Sequence, residues 1–290
     1  MKRLDLLISG KYEISRSFAT RLIKSEKIFL KEIPITDPSK LFSGDSLLDI
    51  TVTPGALDTI EPDDTIIPQD IPLEILYEDD HVLVIYKKEG ISVHTSASER
   101  SGTIINALAF RGNNTGVQRY GIVHRLDKQT SGALIIAKDP ITQDMLSRQF
   151  QDRTVYKEYR AICVGSIMDA MTIDKPIARN RVNRKKMAIV TGGRISVTDI
   201  LPLARYKGLG RTFTELRVVP HTGRTHQIRI HVKSIGHPVV GDPIYGGYAY
   251  EHLLLHAYNL KITVPEVGEL SFIAPLPEYF NTFLLSLKKE

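Results

Sequence analysis

Apolar positions along this chain come in short runs broken by turn-forming residues, a rhythm that predicts more strands than helices. Residues 74–90, EILYEDDHVLVIYKKEG, read as two strands around the turn Glu78-Asp79-Asp80, with Gly90 ending the second. IVHRLD (122–127) reads as a strand running into a loop, and SGALIIAK (131–138) as an apolar strand. Asp139-Pro140 then supplies the cap and first turn of a helix through Phe150, whose Ile141, Met145 and Phe150 are expected to face the core. VYKEYRAICVG (155–165) is a further strand, and the basic run RNRVNRKKMAIVTGGR (179–194) a loop or hairpin of exposed charge. In TGRTHQIRIHVKSIGHP (222–238) the spacing of Ile228, Val232 and Ile235 predicts a helix that Gly236 caps and Pro238 stops. Short strands interspersed with few helices make this an α+β chain.

The N-terminal part has its own pattern. SRSFATRLIKSEKIFL (15–30) offers Ser15 or Ser17 as a helix cap, then Phe18, Leu22 and Ile23 at helical spacing, with Arg16, Arg21 and Lys24 interspersed. Short strand-like runs follow, and SGDSLLDITV (43–52) closes the unit with a turn at Gly44-Asp45. The basic residues are placed to meet phosphates. The order of RLD, SRS with RLI, and PSKLFSGD resembles an S4-type RNA-binding domain in degenerate form. Where that family has a glycine after the second helix and then a Val-Asn-Gly hairpin, this chain has Ser25-Glu26-Lys27 and Leu30-Lys31-Glu32. PGALDTIEPDDTIIPQDIP (54–72) combines four prolines with carboxylates, lacks any apolar period, and reads as a linker. The expected division is an S4-like domain at 1–55, an acidic linker at 56–71 and a larger domain at 72–290.

Composition narrows the class. With 290 residues, 42% of them hydrophobic, the chain has enough apolar material for a large core and a small satellite domain. No run approaches the roughly 18–20 apolar residues of a membrane span, and charges stand where a signal peptide needs its apolar region, so a cytoplasmic location is expected. The single cysteine, Cys163, sits in a strand-like run and reads as a buried, inert thiol. The net charge of +5 is uneven: +2 over 1–55, −9 over 56–80 and +12 over 81–290. A strongly basic C-terminal part favours a polyanionic partner, most simply nucleic acid. His226 and His231 stand five apart, roughly 140° around a helix, and cannot share an ion; with no HExxH and no cysteine pair, no metal is expected.

Candidate chemistry concentrates in HRLDKQTSG (124–132), a charged break between the apolar GIV and ALIIAK. Asp127 could cap a helix, act as a general base or serve as a nucleophile. The cap reading is weak, because the turn formers Thr130-Ser131-Gly132 and a β-branched run follow in place of a helical pattern. Their hydroxyls and amides can hold a carboxylate, and a carboxylate in a dry pocket needs a cation, for which the chain offers several arginines.

HRLDKQTSG resembles the signature of the RluA-type family of pseudouridine synthases. YEDDHVLVIYKKEG, VYKEYRAICVG, TGRTHQIRIHVKSIGHPVVGDPIYG and LLLHAYNLKI resemble the other blocks of that family in the same order, over roughly residues 72–276. One departure stands at Lys88-Glu89, where the family has proline and a small residue. The resemblance implies a central mixed, mainly antiparallel sheet with the active-site cleft across it. It also implies isomerisation of uridine in RNA without a cofactor: the glycosidic bond from N1 breaks, the uracil turns, and it rejoins the ribose through C5.

The resemblance assigns roles as well. Asp127 matches the essential aspartate, with addition to the ring, attack on the sugar and removal of a sugar proton all open to it. Tyr159 matches the active-site tyrosine, and Arg229 the arginine that pairs with the aspartate, for which Arg224 is the weaker candidate. Arg125 matches a residue proposed to enter the gap when the uridine flips out. Leu126, His124 and Ile228 are expected to line the substrate pocket, and Arg184, Lys185, Lys186 and Arg224 to track phosphates, as Arg16, Arg21 and Lys24 would in the N-terminal unit. Large-subunit ribosomal RNA is the expected target, since an S4-like domain accompanies the catalytic type; transfer RNA is the alternative, and a monomer the default. Two other classes compete. A noncatalytic RNA-binding relative would not need the intact Asp127, Tyr159 and Arg229, and a hydrolase would need a nucleophile elbow or a second carboxylate in a matching motif, neither of which is seen.

Overall fold

The computed structural model describes residues 2–290 except 13, 15, 43–48, 58–65, 97, 113–115, 181, 184–185 and 265–266. The expected caps Ser15 and the side chain of Ser17, the turn at Gly44-Asp45, and the basic Arg184 and Lys185 lie outside the described residues. The chain divides into two units, Met1–Thr65 and Ile66–Glu290.

In the smaller unit, helices Leu4–Lys11 and Arg16–Lys24 carry Leu4, Leu7 and Ile8, and Ala19, Leu22 and Ile23, at the i, i+3, i+4 spacing that makes one apolar stripe each. These stripes share a core with Ile28 and Ile50 from a three-stranded antiparallel sheet, whose central strand Ile28–Leu30 lies between Ile33–Pro34 and Ile50–Val52. Phe18 is only partly buried, and Ala19 takes the core position instead. Glu26, Lys31 and Glu32 hold the left-handed backbone (φ 57°, 48° and 68°) at the places where the S4 pattern has glycines and a tight hairpin. Arg16, expected to meet phosphate, is engaged by the buried Asp5: its Nε and Nη2 each lie 3.0 Å from Oδ2, because a carboxylate with 2% exposure requires compensating donors.

The larger unit is built on a ten-stranded sheet. Its main path runs Met171–Asp174, Val197–Gly208, Arg211–Pro220, Tyr156–Val164, Leu255–Val264, Ser131–Ala137, Val82–Lys87, Glu74–Glu78. Among the described residues the pairs along this path are antiparallel except Leu255–Val264 with Ser131–Ala137, so the sheet is mixed and mainly antiparallel. Ser131–Ala137 is buried along its whole length because both faces are covered. Ala133, Ile135 and Ala137 pack with Val82, Val84 and Leu146 on one side, and Leu134 and Ile136 with Leu83, Ile85, Ile104 and Leu108 on the other. The period-two alternation of a strand thus feeds two cores at once.

Two expectations change here. IVHRLD contributes a single bridge, Ile122 to Ile136, and is loop from there on. Helix Pro140–Asp152 forms as expected, with the Asp139 side chain accepting from Thr142 N, but Ile141 is 76% exposed. Its inward face is Thr142 and Leu146, four apart on one stripe and supported by Phe150, and Ile141 lies one position off that stripe. The basic run does form a hairpin, Ile177–Arg179 with Met187–Ile189. Cys163 is fully buried, and that burial pushes its thiol pKa up.

Candidate active site

Asp127 stands on the loop that enters Ser131–Ala137, and most of HRLDKQTSG serves to hold that loop still. Thr130 N donates to Asp127 O at 3.0 Å, closing the turn. The carbonyl of Lys128 accepts from Gly90 N (2.9 Å) and from Lys87 Nζ (3.1 Å). Lys87 is fully buried and also donates to the carbonyls of Lys88 and Ile91, both at 2.9 Å. Burial pulls its pKa down to about 7, against the opposing charges of Asp127 and Glu89. Downstream, Ser131 Oγ is hydrogen-bonded to His256 Nδ1 (2.8 Å) and Tyr279 OH (2.9 Å).

Helix Gln227–Ser234 brings the cation. Its approach loop is fixed by Gln227, whose Oε1 accepts from Arg224 N and Thr222 Oγ1 while Nε2 donates to Val197 O and Thr198 Oγ1. Ile228 and Val232 anchor one helix face in a core cluster with Leu216, Val218 and Leu255. Arg229 is also buried, at 1% exposure, and its guanidinium forms a two-point pair with Asp242: Nε to Oδ2 at 2.8 Å and Nη2 to Oδ1 at 2.6 Å. Oδ1 of Asp242 further accepts from Ile244 N and Tyr245 N. Burial works to raise the Asp242 pKa, but the Arg229 bonds and charge with the two amides hold it below the ordinary carboxylate value.

Two of the guanidinium's donors being taken, Nη1 faces the other way, 3.9 Å from Asp127 Oδ2. His226 Nε2 approaches the same oxygen at 3.9 Å. The phenol oxygen of Tyr245 accepts from Met187 N at 3.0 Å and is hydrogen-bonded to His226 Nδ1 at 2.8 Å, which orients the imidazole with Nε2 toward Asp127. Burial lowers the His226 pKa despite the nearby Asp127 charge, so the ring is neutral at physiological pH. Asp127 therefore has Arg229 Nη1 and His226 Nε2 within 4 Å, neither closed to hydrogen-bond length, and a side chain still 21% exposed. It opens into a cavity of about 110 Å³ walled by Leu126, Tyr159, Ile228 and Arg229, with Arg125 and Arg224 also on its lining. Burial first, and the Asp127 charge second, push the Tyr159 pKa up; its phenol stays protonated and offers a ring face and a proton donor.

The sequence-chosen residues divide accordingly. Asp127, Tyr159, Arg229, Arg125, Leu126, Ile228 and Arg224 converge on one cavity. His124 does not line it: the ring stacks on Phe150 at 4.5 Å, and Nε2 accepts from Ile135 N at 3.0 Å, tying the loop to the strand. Burial drops its pKa to about 3, which keeps that nitrogen free to accept. Lys186 lies in the basic hairpin, Arg21 sits over the Phe18 ring, and Lys24 is exposed. Sequence reasoning missed Asp242, a second carboxylate of the site, together with Tyr245, His226 and Lys87. The signal for Asp242 was present: an arginine between Ile228 and Ile230 on a short apolar helix needs a buried anion, and GDPIY carries an aspartate two and three residues ahead of amides it can accept from.

Residues 81–234 match the family model described as RNA pseudouridylate synthase. A Pseudomonas aeruginosa protein named ribosomal large subunit pseudouridine synthase D is 42% identical over 240 residues, 77% of this chain and 73% of that one. A Xanthomonas campestris protein of the same name is 38% identical, covering 100% of this chain and 90% of its own. Among solved structures, human RNA pseudouridylate synthase domain containing 1 superimposes with a TM-score of 0.63 at 27% identity, over 76% of this chain and 89% of that one.

Proposed function

This chain belongs to the RNA pseudouridylate synthase family, and on that premise we propose that it isomerises specific uridines of large-subunit ribosomal RNA, with Asp127 as the essential carboxylate. The enzyme is an isomerase: the N1–C1′ bond of a uridine breaks, the base is retained, and a C5–C1′ bond forms as C5 gives up its proton and N1 gains one. Retaining a detached base is the difficult part, and a positioned carboxylate divides it into smaller steps.

The observation that carries the assignment is the pairing pattern around Arg229. Asp242 fixes the guanidinium in two dimensions, so its remaining edge supports Asp127 without neutralising it in a tight bond, which leaves the Oδ atoms available to substrate. Leu126 and Ile228 give the base apolar walls, and the protonated Tyr159 gives it a stacking face. A stacked uridine is out of reach of such a pocket, so it must be extruded at a cost of a few kcal/mol. Arg125, exposed beside the cavity, is suited to fill the vacated stack with its planar guanidinium.

The N-terminal unit fits the same reading as an S4-like RNA-binding module at 1–55, joined by the acidic segment 56–71 to a catalytic domain at 72–290. Its left-handed residues at Glu26, Lys31 and Glu32 support that reading, as do the exposed Lys24 and a position for Arg21 on the same helix. We take the enzyme to work as a monomer in the cytoplasm. Mapping pseudouridines in RNA from cells with and without the gene tests the target: loss of defined sites in large-subunit ribosomal RNA is expected, whereas loss confined to transfer RNA, or no loss, would contradict it.

A further inference from the structure

Beside the Asp127 cavity lies a second one of about 480 Å³, which shares Arg125, Tyr159 and Arg224 with it. A third, of about 670 Å³, continues from the second through shared Arg153, Lys157, Pro220 and His221. The middle cavity is lined by four cations, Arg125, Arg153, Lys157 and Arg224, and among the described residues by no carboxylate. The outer cavity adds Arg217 and one carboxylate, Asp199, already engaged by Thr172 Oγ1 at 2.7 Å and His221 Nε2 at 2.6 Å.

Lys157 lies at the junction of these cavities. It is half-buried, and among the described residues its ammonium has no hydrogen bond and no ion pair. Burial first, and the charge of Arg153 second, lower its pKa. Packing like charges into a partly dry trough without a counterion is costly, and a fold free to choose would place a carboxylate there. Arg153 makes the same point through its backbone: it ends helix Pro140–Asp152 at φ 63°, ψ 30°, where glycine avoids about 1 kcal/mol of strain, yet an exposed arginine stands there. Lys157 and Tyr159 share one face of their strand, about 7 Å apart. A cation thus stands one short step from the ring on which the base would stack.

We propose that this trough holds the phosphodiester backbone of the RNA strand flanking the extruded uridine, with Lys157 as its central anchor and Arg153 and Arg217 along its outer course. The proposal rests on the RNA-isomerase reading above. RNA fits better than a compact anion because the cations are spread through connected cavities and do not converge on one point.

The test uses full-length protein and protein-free, in vitro transcribed large-subunit ribosomal RNA, with binding measured from 50 to 300 mM KCl on wild type, Lys157→Met, Lys157→Arg and the surface pair Arg153→Gln/Arg217→Gln. Each lost phosphate contact should lower the slope of log affinity against log salt by about 0.7 and weaken binding roughly 3- to 10-fold at 100 mM salt. Lys157→Arg should keep the wild-type slope and KM, whereas in Lys157→Met and the surface pair KM should rise more than kcat falls. Should Lys157→Met fail to fold, the surface pair carries the same prediction. Wild-type affinity and slope in Lys157→Met and in the surface pair would overturn the trough while leaving the isomerase reading intact. A wild type that forms no pseudouridine while the variants still lose slope would overturn that reading and leave the trough standing.

Discussion

Arg229 stands between two carboxylates and treats them differently, two short bonds to Asp242 and a single 3.9 Å approach to Asp127. A fully buried guanidinium left without its partner has no water to turn to, so Asp242→Asn should cost about 3–5 kcal/mol of stability, read from urea unfolding midpoints. A loss below about 1 kcal/mol would mean that Asp127 can take over the pairing, and that the division of labour argued here is wrong. Tyr245 is the second support of the pair, since the Arg229 guanidinium carbon lies 5.2 Å from its ring centroid while its hydroxyl orients His226. Arg229 and His226, the two groups that approach Asp127, are thus held by Asp242 and Tyr245.

At the scale of elements, the signature loop is legible as chemistry but not as architecture. HRLDKQTSG advertises Asp127, yet the structure spends its other residues on scaffolding: His124 on the Ile135 amide, Thr130 on the turn, Ser131 on His256. Gly132 is required for a reason no local pattern shows. Its φ is +123°, and a Cβ there would fall 2.2 Å from the carbonyl oxygen of Ala257 on the parallel neighbour strand. Gly132→Ala should therefore cost about 3 kcal/mol or more and lower the thermal midpoint; an unchanged midpoint would show that the parallel pair is not the tight joint described. The strands at 74–78, 82–87 and 131–137 and the helix at 227–234 could be read from the sequence, because each is a short apolar stretch bounded by turn formers, a glycine or a proline. Ile141 could not, since the buried stripe of its helix runs through Thr142 and Leu146, and a threonine is a weaker apolar signal than the isoleucine beside it.

For the whole molecule, the basic balance of residues 81–290 pointed to a polyanion, and the cavities give that charge a location. What single-sequence reasoning did not supply was the set of long-range pairings: Asp127 meets Arg229 and His226 from a hundred residues away, Arg125 and Lys157 line one trough from different elements, and Asp242 closes the site from beyond the helix. These depend on the order of strands in the sheet, which apolar periods do not encode. The claim on which the rest depends is that the Asp127 carboxylate drives the isomerisation. Wild-type and Asp127→Asn proteins should be given large-subunit ribosomal RNA carrying tritium at uridine C5, because each C5 that becomes bonded to ribose releases its hydrogen to water. Wild type should release tritium, and the variant at least about a thousandfold more slowly with undiminished RNA affinity. Tritium release by Asp127→Asn at the wild-type rate would contradict that claim.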